Sequence, residues 1–189
     1  MSNLKTEIEN DIWTWIKEYV EVNHEFYGHK FPPCPYAKAA RLKGSIDVIA
    51  YQGGNVKQFI ELNVQDLLDA KDKKITQRAL ILPPRAQWTL GIKKFVHKLN
   101  TKIVSQDYYI QFGRAIKTHS RYAGLFNSGA YCIVLINLLS EVMEGHRALL
   151  STDYYKPWSK EHYDAVVVRR QDMYDKFGKL ENEENNSNL

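Results

Sequence analysis

The chain alternates short apolar segments with amphipathic ones, and this alternation is what most limits the folds open to it. Four segments are short and rich in Val, Ile, Leu or Tyr, and most are bounded by Gly or Pro, as strands are. They are residues 45–51, 78–82, 108–112 and 131–136. Apolar residues recur every three or four positions over 56–68 and 88–99, which predicts helices between the strands. The sequence therefore predicts a layered α+β fold, in which a sheet of four or more strands is covered by helices.

Helices are also predicted near both ends of the chain. Apolar residues recur at three- and four-residue intervals over 4–19, and the last predicted helix covers 159–177. Arg169 lies on the apolar stripe of this last helix, where it either extends its charge into solvent or reaches into a pocket. Residues 180–189 are mostly Glu, Asn and Ser, which is typical of a disordered acidic tail. We therefore expect a single globular domain over 1–179, followed by that tail.

Charge and composition narrow the choice of partners. The net charge is +4, and Lys and Arg fall in short clusters interrupted by acids, whereas nucleic-acid binding favours a continuous basic surface. Nucleic acid is therefore not an expected partner. No run approaches the roughly 20 apolar residues that cross a bilayer, and the first residues lack the pattern of a signal peptide. With only two cysteines, Cys34 and Cys132, we expect a cytoplasmic protein with free thiols and no membrane partner.

Cys34 stands at the predicted start of a short helix. Pro35 suits the first helical position, and Gly44 suits the position just past the end. Free backbone N–H groups and the positive end of the helix dipole would then face the sulfur, with Lys38 one turn along on the same face. Each of these effects favours the thiolate. Cys34 is therefore a candidate nucleophile with Lys38 as its electrostatic support, the alternative being a buried, unreactive cysteine.

His24, His29 and Cys34 are evenly spaced along the segment that leads into this helix. Imidazole and thiolate are good ligands for zinc or iron, which makes His29 a candidate metal ligand. The alternative is that both histidines are surface or helix-capping residues. The tripeptide 34–36 also matches the first residues of a glutaredoxin motif. However, no apolar strand precedes it and Ala37 replaces the second cysteine, so thiol–disulfide exchange is not expected.

Residues 113–130 form a long predicted loop with little hydrophobic periodicity. The loop carries Arg114, His119 and Arg121 among other polar residues. Loops of this length inside a domain are often functional. Because a guanidinium group binds carboxylates and phosphates, Arg114 is a candidate anion contact, and an ordinary surface arginine is the alternative.

Several short motifs occur in the order seen in a small bacterial protein family of unknown function. The chain resembles that family in the sequence Cys-Pro-Tyr-Ala-Lys at 34–38, which follows a Trp-containing helix. The strand that ends in proline at 80–83, the segment 110–113 and the strand entry at 127–131 are similar as well. Ala130 replaces the family's proline. The resemblance covers roughly residues 10 to 150, and it implies a shared fold without naming an activity.

The chain is also similar, more loosely, to heme-dependent N-oxygenases. The shared features are a Phe-Pro-Cys-like segment at 31–34 and the strand end and strand entry that flank 113–130. This resemblance implies an iron porphyrin held by an axial cysteine or histidine, with arginines paired to its propionates. The positions that it offers for the axial ligand are Cys34, His29 and His119. The positions that it offers for the propionates are Arg114 and Arg121.

Three functions remain open. The first is a small-molecule or cofactor pocket, centred on the Cys34 helix and the 113–130 loop, in a protein that binds or transforms its ligand. The second is a heme-dependent oxygenase. The third is a non-enzymatic interaction or nucleic-acid-binding protein that uses a tyrosine-rich surface and scattered lysines.

Overall fold

The computed structural model describes residues 2–70, 74–82, 86–113 and 131–178, and it contains a four-stranded mixed sheet. The strands are β1 (Ile46–Ala50), β2 (Gln77–Leu82), β3 (Tyr108–Gly113) and β4 (Cys132–Leu138). They lie in the order β1-β2-β4-β3, with β1 parallel to β2 and the other two pairs antiparallel. The four predicted strands and the α+β class are confirmed.

Helices cover both faces of this sheet. In chain order they are α1 (Ser2–Trp15), α2 (Ala37–Leu42), α3 (Val56–Asp69), α4 (Ala86–Ile103), α5 (Leu139–Leu150), α6 (Lys160–Tyr163) and α7 (Arg169–Phe177). α3 and α4 pack on one face, against alternate strand residues such as Leu80 and Val134. α1 and α2 pack on the other face, against intervening residues such as Ile81. Within the described ranges, no helix is long and apolar enough to cross a bilayer.

The short helix after Cys34 ends as predicted but begins later. Gly44 has a φ of +67°, and its N–H donates to the Arg41 carbonyl while the Ser45 N–H donates to the Ala40 carbonyl. This is the Schellman arrangement, in which a left-handed residue closes the last turn of a helix. The first helical residue is Ala37 instead of Pro35, because the residues between Cys34 and Ala37 form a turn.

Helix α5 was not predicted, and it starts directly after β4 without a loop. The apolar run across this junction hides the change from a two-residue to a helical period. The cap that starts α5 comes from a residue distant in sequence. Asp107 accepts hydrogen bonds from the Ser140 N–H and from the Ser140 hydroxyl, both at 2.7 Å. Such a long-range cap leaves no local sequence signal.

The last predicted helix is interrupted by a π-helical turn, Asp164–Val168, which joins α6 to α7. A π turn inserts one extra residue and rotates everything after it relative to a regular helix. As a result Arg170, not Arg169, lies on the buried face together with Val167 and Met173, while Arg169 is exposed. The assignment of Arg169 to the apolar stripe was therefore wrong by one residue.

Two predictions fall on residues that the structure does not describe. Residues 114–130 and 179–189 lie outside the described ranges. The predicted loop and the predicted acidic tail therefore stay predictions.

Candidate functional site

The Cys34 segment is held between the end of α1 and the chain that follows α5. A second π-helical turn, Ile16–Val20, extends α1, and the Cys34 N–H donates to the Val20 carbonyl at 3.2 Å. From the opposite direction, the Tyr154 hydroxyl donates to the Pro33 carbonyl at 2.7 Å. The segment thus connects the N-terminal and C-terminal parts of the fold.

The environment of Cys34 does not favour the thiolate, contrary to the expectation from its place beside a helix start. Burial raises the pKa of the Cys34 thiol, and this effect exceeds the opposing effect of the backbone N–H groups of Tyr36 and Ala37. The carboxylate of Glu21 raises the pKa further. The local sequence correctly predicted backbone N–H groups that stabilise the thiolate. It could not show the burial, whose effect on the pKa is larger.

Lys38 does not support the Cys34 sulfur. Its side chain is exposed, and Glu21 is the charged group that acts on the thiol. Glu21 accepts two hydrogen bonds from Arg41, at 2.7 and 2.8 Å, so a bidentate ion pair and not a free cation lies next to Cys34. The prediction of Lys38 as electrostatic support was wrong.

His29 and His24 do not form a ligand set with Cys34. His29 is exposed and has a φ of +59°, and its N–H donates to the His24 carbonyl in a tight turn. His24 caps the following turn, because its Nδ1 accepts from the Phe26 N–H at 3.1 Å. Among the described residues, no three His, Cys, Asp or Glu side chains come together to hold a metal ion. The geometry therefore agrees with capping and surface roles for these histidines.

The remaining predicted residues lie elsewhere. Arg114, His119 and Arg121 fall outside the described ranges, so their roles as cofactor contacts stay predictions. Cys132 lies on β4, where burial raises the pKa of its thiol to about 11.

The described residues include a buried arginine that sequence analysis did not single out. Arg170 is only 5% exposed, and no hydrogen bond or ion pair joins its guanidinium group to another described residue. Arg78 offers a comparison, since it is 6% exposed. Its guanidinium group contacts the carboxylates of Asp47 and Asp66 at 2.9 and 2.6 Å, and it donates to the Asn63 carbonyl at 3.2 Å. Within the described chain, the fold pairs one buried arginine fully and leaves the other unpaired.

Aromatic hydroxyls surround Arg170 in place of carboxylates. The phenols close enough to influence it come from four parts of the chain, namely Tyr155, Tyr109, Tyr36 and Tyr163. The Tyr36 hydroxyl and the Arg170 Nε are the two buried side-chain atoms in the described residues that have no hydrogen-bond partner. Buried polar atoms are almost always satisfied, so two unpaired ones in a single cluster need an explanation.

Tyr36 is fixed in this position by a close contact with α5. A Cβ atom added at Gly145 would lie 2.5 Å from two ring carbons of Tyr36, so only glycine leaves room for the ring. At the next residue of the same helix, the His146 Nδ1 lies 2.9 Å from the Tyr155 hydroxyl. Helix α5 therefore places both Tyr36 and Tyr155 near the guanidinium group of Arg170.

Among the described residues, no negatively charged group compensates the positive charge of Arg170. Burial lowers the pKa of Arg170, but an arginine stays protonated at neutral pH. Burial also raises the pKa of the phenols of Tyr36, Tyr109 and Tyr155, to about 12 for Tyr155, so these three remain neutral. Burial, Arg170 and Arg147 all lower the pKa of His146. The site accordingly offers one buried cation, neutral phenols and a histidine that favours its neutral form.

A second aromatic group lies between this cluster and Cys34. The rings of Tyr27 and Tyr154 stack 4.7 Å apart, and the Trp158 indole N–H donates to the Tyr27 hydroxyl at 3.2 Å. Trp158 contacts the Tyr155 ring at 5.0 Å, which links this group to the Arg170 cluster. The arrangement offers flat apolar surfaces beside a buried cation.

No family model, curated protein or solved structure matches the chain. The resemblances to the bacterial family and to the heme-dependent N-oxygenases therefore stay predictions. Of the residues predicted from sequence, Cys34 lies next to the Arg170 cluster, because its segment continues directly into Tyr36. One sequence signal for the buried arginine was missed. Arg169 and Arg170 are adjacent on a partly apolar helix, and the sequence alone does not decide which of the two is buried.

The reactivity of Cys34 gives a first test of this description. In a Cys132→Ser background, we expect iodoacetamide to modify Cys34 more slowly in the native protein than in the urea-unfolded chain at the same pH, since the raised pKa reduces the thiolate fraction. A Glu21→Gln variant should react faster than its parent, because the carboxylate that disfavours the thiolate is removed. Native-state modification as fast as that of the unfolded chain would contradict the burial described here.

Stability should also depend on pH through the two histidines whose pKa burial lowers, His146 and His162. The unfolded chain binds their protons near the ordinary pKa of 6.5, whereas the folded chain binds them only at lower pH. The free energy of unfolding is therefore fully present above that value and falls as the pH drops through it, by at most about 1.4 kcal/mol per pH unit for each histidine. Urea unfolding between about pH 7.5 and 5.5 measures this slope.

Variants separate the contribution of these two histidines from that of the rest of the chain. His146→Gln and His162→Gln should each give a shallower slope than the wild type. A free energy of unfolding that is constant over this range would show that His146 and His162 bind protons equally in both states.

Proposed function

We propose that the protein binds a small molecule that carries negative charge, with Arg170 as the charge partner and Tyr36 as a second polar contact. The observation that carries this proposal is the buried guanidinium group without a protein partner among the described residues. The proposed site lies where the sequence predicted a pocket, beside the Cys34 helix, since Tyr36 belongs to that segment. It moves the anchor from the Cys34 thiol to Arg170.

The energetic argument is that an unpaired buried charge is costly. Transfer of an ion from water into a protein interior costs several kcal/mol even after relaxation, and a paired counter-charge offsets that cost. Arg78 has such counter-charges in Asp47 and Asp66. Arg170 has neutral phenols instead, so an anionic ligand that reaches it supplies the counter-charge that the described fold lacks.

Binding is better supported than covalent catalysis through cysteine. A nucleophilic cysteine needs a lowered pKa, whereas burial raises the pKa of both Cys34 and Cys132. The interaction hypothesis relied on surface tyrosines, yet Tyr108, Tyr109 and Tyr154 are buried. The heme hypothesis relies partly on residues outside the described ranges, and an absorption spectrum recorded before and after hemin addition tests it.

The proposal is tested by thermal unfolding with a panel of small anionic and neutral compounds. A ligand that binds only the folded state raises the melting temperature, because it adds RT ln(1 + c/Kd) to the free energy of unfolding, where c is the free ligand concentration. We expect at least one anion to stabilise the wild-type protein and the Arg169→Met variant but not the Arg170→Met variant. Arg169 is the matched control, because it is the same residue type, adjacent and exposed. Equal stabilisation of all three proteins, or of none by any compound, would contradict the proposal.

A further inference from the structure

We propose that the group bound at Arg170 is a carboxylate carried on an aromatic or similarly flat apolar body, such as a benzoate-type acid. This inference rests on the proposed function, since it names the chemical class of the ligand of that same site. It follows from three properties of the cluster, which are its charge, the donors that it leaves free and the character of its walls.

The first property is the charge balance. The groups that face Arg170 are the phenols of Tyr36, Tyr109, Tyr155 and Tyr163 and, through Tyr155, the imidazole of His146. None of them carries a negative charge at neutral pH, and His146 favours its neutral form. One guanidinium charge is balanced by one carboxylate. Arg147 and Arg169 also act on His146 and Tyr109, but both are exposed. A phosphate monoester, which is largely dianionic at neutral pH, would therefore bring one more negative charge than the single buried guanidinium group balances.

The second property is the set of free donors. The Nε–H of an arginine and the neighbouring terminal N–H form a planar fork that matches the two oxygens of a carboxylate. Arg170 Nε has no partner, and the Tyr36 hydroxyl is also free to donate. Phosphate sites are commonly built from free backbone N–H groups at a helix start. Arg170 lies instead within a continuous helical segment, where the preceding N–H, that of Arg169, donates to the Asp164 carbonyl.

The third property is the aromatic wall. The Tyr155 ring contacts the rings of Tyr163 and Trp158 edge to face, at 5.3 and 5.0 Å between centroids. Aromatic rings in such arrangements accept a further ring in offset or edge-to-face contact. A flat apolar body attached to the carboxylate would thus find contacts of the kind that these side chains already make with one another.

Calorimetric titrations near neutral pH with benzoate, benzamide and phenyl phosphate test the inference on the full chain. Benzamide has the shape of benzoate without its charge, and phenyl phosphate replaces the carboxylate with a dianion. We expect benzoate to bind at least about tenfold more tightly than either, which is the size of effect that a charge-assisted hydrogen bond gives.

Variants tie the binding to the named residues. Arg170→Lys, which keeps the charge and loses the fork, should weaken benzoate binding at least about tenfold, and Tyr36→Phe should weaken it about three- to tenfold. Arg169→Lys, at the adjacent exposed position, should bind benzoate as the wild type does. Benzoate binding that is unaffected by both Arg170→Lys and Tyr36→Phe would overturn the inference.

The ligand series distinguishes failure of this inference from failure of the proposed function. If phenyl phosphate or benzamide binds as tightly as benzoate, and Arg170→Lys removes that binding, the ligand class is wrong while the site and its function stand. If none of the three compounds binds and no compound in the thermal panel acts through Arg170, both proposals are overturned.

Discussion

Replacing Arg170 with methionine is expected to make the ligand-free protein more stable, by about 1–4 kcal/mol in urea unfolding. Methionine fills a similar volume without a charge, and the replacement of costly buried ionic groups by apolar ones stabilises proteins by about this amount. The expectation applies because Arg170 is 5% exposed and no described residue pairs with it. The same substitution should abolish anion binding, so stability and ligand affinity are expected to change in opposite directions.

Two other arginines serve as controls for this prediction. Arg169→Met should change the free energy of unfolding by no more than about 0.5 kcal/mol, as exposed substitutions usually do. Arg78→Met should be destabilising, because it removes the partner of Asp47 and Asp66 and the contact with the Asn63 carbonyl. A loss of about 3–5 kcal/mol in Arg170→Met would show that the guanidinium group is part of a protein ion pair, which would contradict the ligand site.

Replacing Asn100 with alanine is expected to destabilise the protein by about 2–4 kcal/mol. Asn100 is buried on α4, and β3 is an edge strand of the sheet. The Asn100 side-chain amide donates to the Ile110 carbonyl at 2.9 Å and accepts from the Ile110 N–H at 2.8 Å, in the way that a neighbouring strand would. Alanine leaves both backbone groups buried and unsatisfied, and each such group costs about 1–3 kcal/mol.

The matched control is Thr101→Ala on the same helix. The Thr101 hydroxyl donates only to the Lys98 carbonyl within its own helix turn, so this substitution should cost less than about 0.5 kcal/mol. Urea unfolding of the two variants measures the difference. Equal free energies of unfolding for Asn100→Ala and Thr101→Ala would show that the amide does not satisfy the edge strand.

Much of the fold could be predicted from the sequence because its signals are local. The strands around Val48 and Leu80 contain short apolar runs, and α3 has a regular three- and four-residue pattern that begins after the Asn55 cap. Helix α5 could not be predicted in this way, because its cap comes from Asp107 across the fold. The order of the strands, which places β4 between β2 and β3, also depends on contacts that no single segment encodes.

The site was harder to predict, because its properties come from packing. The turn and the N–H groups beside Cys34 were visible in the sequence, but the burial and the Glu21 carboxylate that raise the pKa of its thiol were not. The helical periodicity of the sequence predicted that Arg169 lies on the inner face of the last helix. A single π-helical turn rotates the helix, so that Arg170 lies on that face instead. A one-residue insertion in the helical repeat has no clear sequence signature, although it decides which arginine is buried.

The measurement that tests the ligand site most directly is the 15N–1H NMR signal of the Arg170 Nε–H, assigned by its loss in Arg170→Lys. We predict that saturating benzoate or phenyl phosphate shifts this signal strongly, as expected for a new hydrogen bond, while the Arg169 signal moves little. We also predict that replacing Glu181, Glu183 and Glu184 with Gln leaves the signal of the ligand-free protein unchanged. A signal that neither anion shifts, or one that moves when those three carboxylates are removed, would contradict the account and assign Arg170 to a structural role.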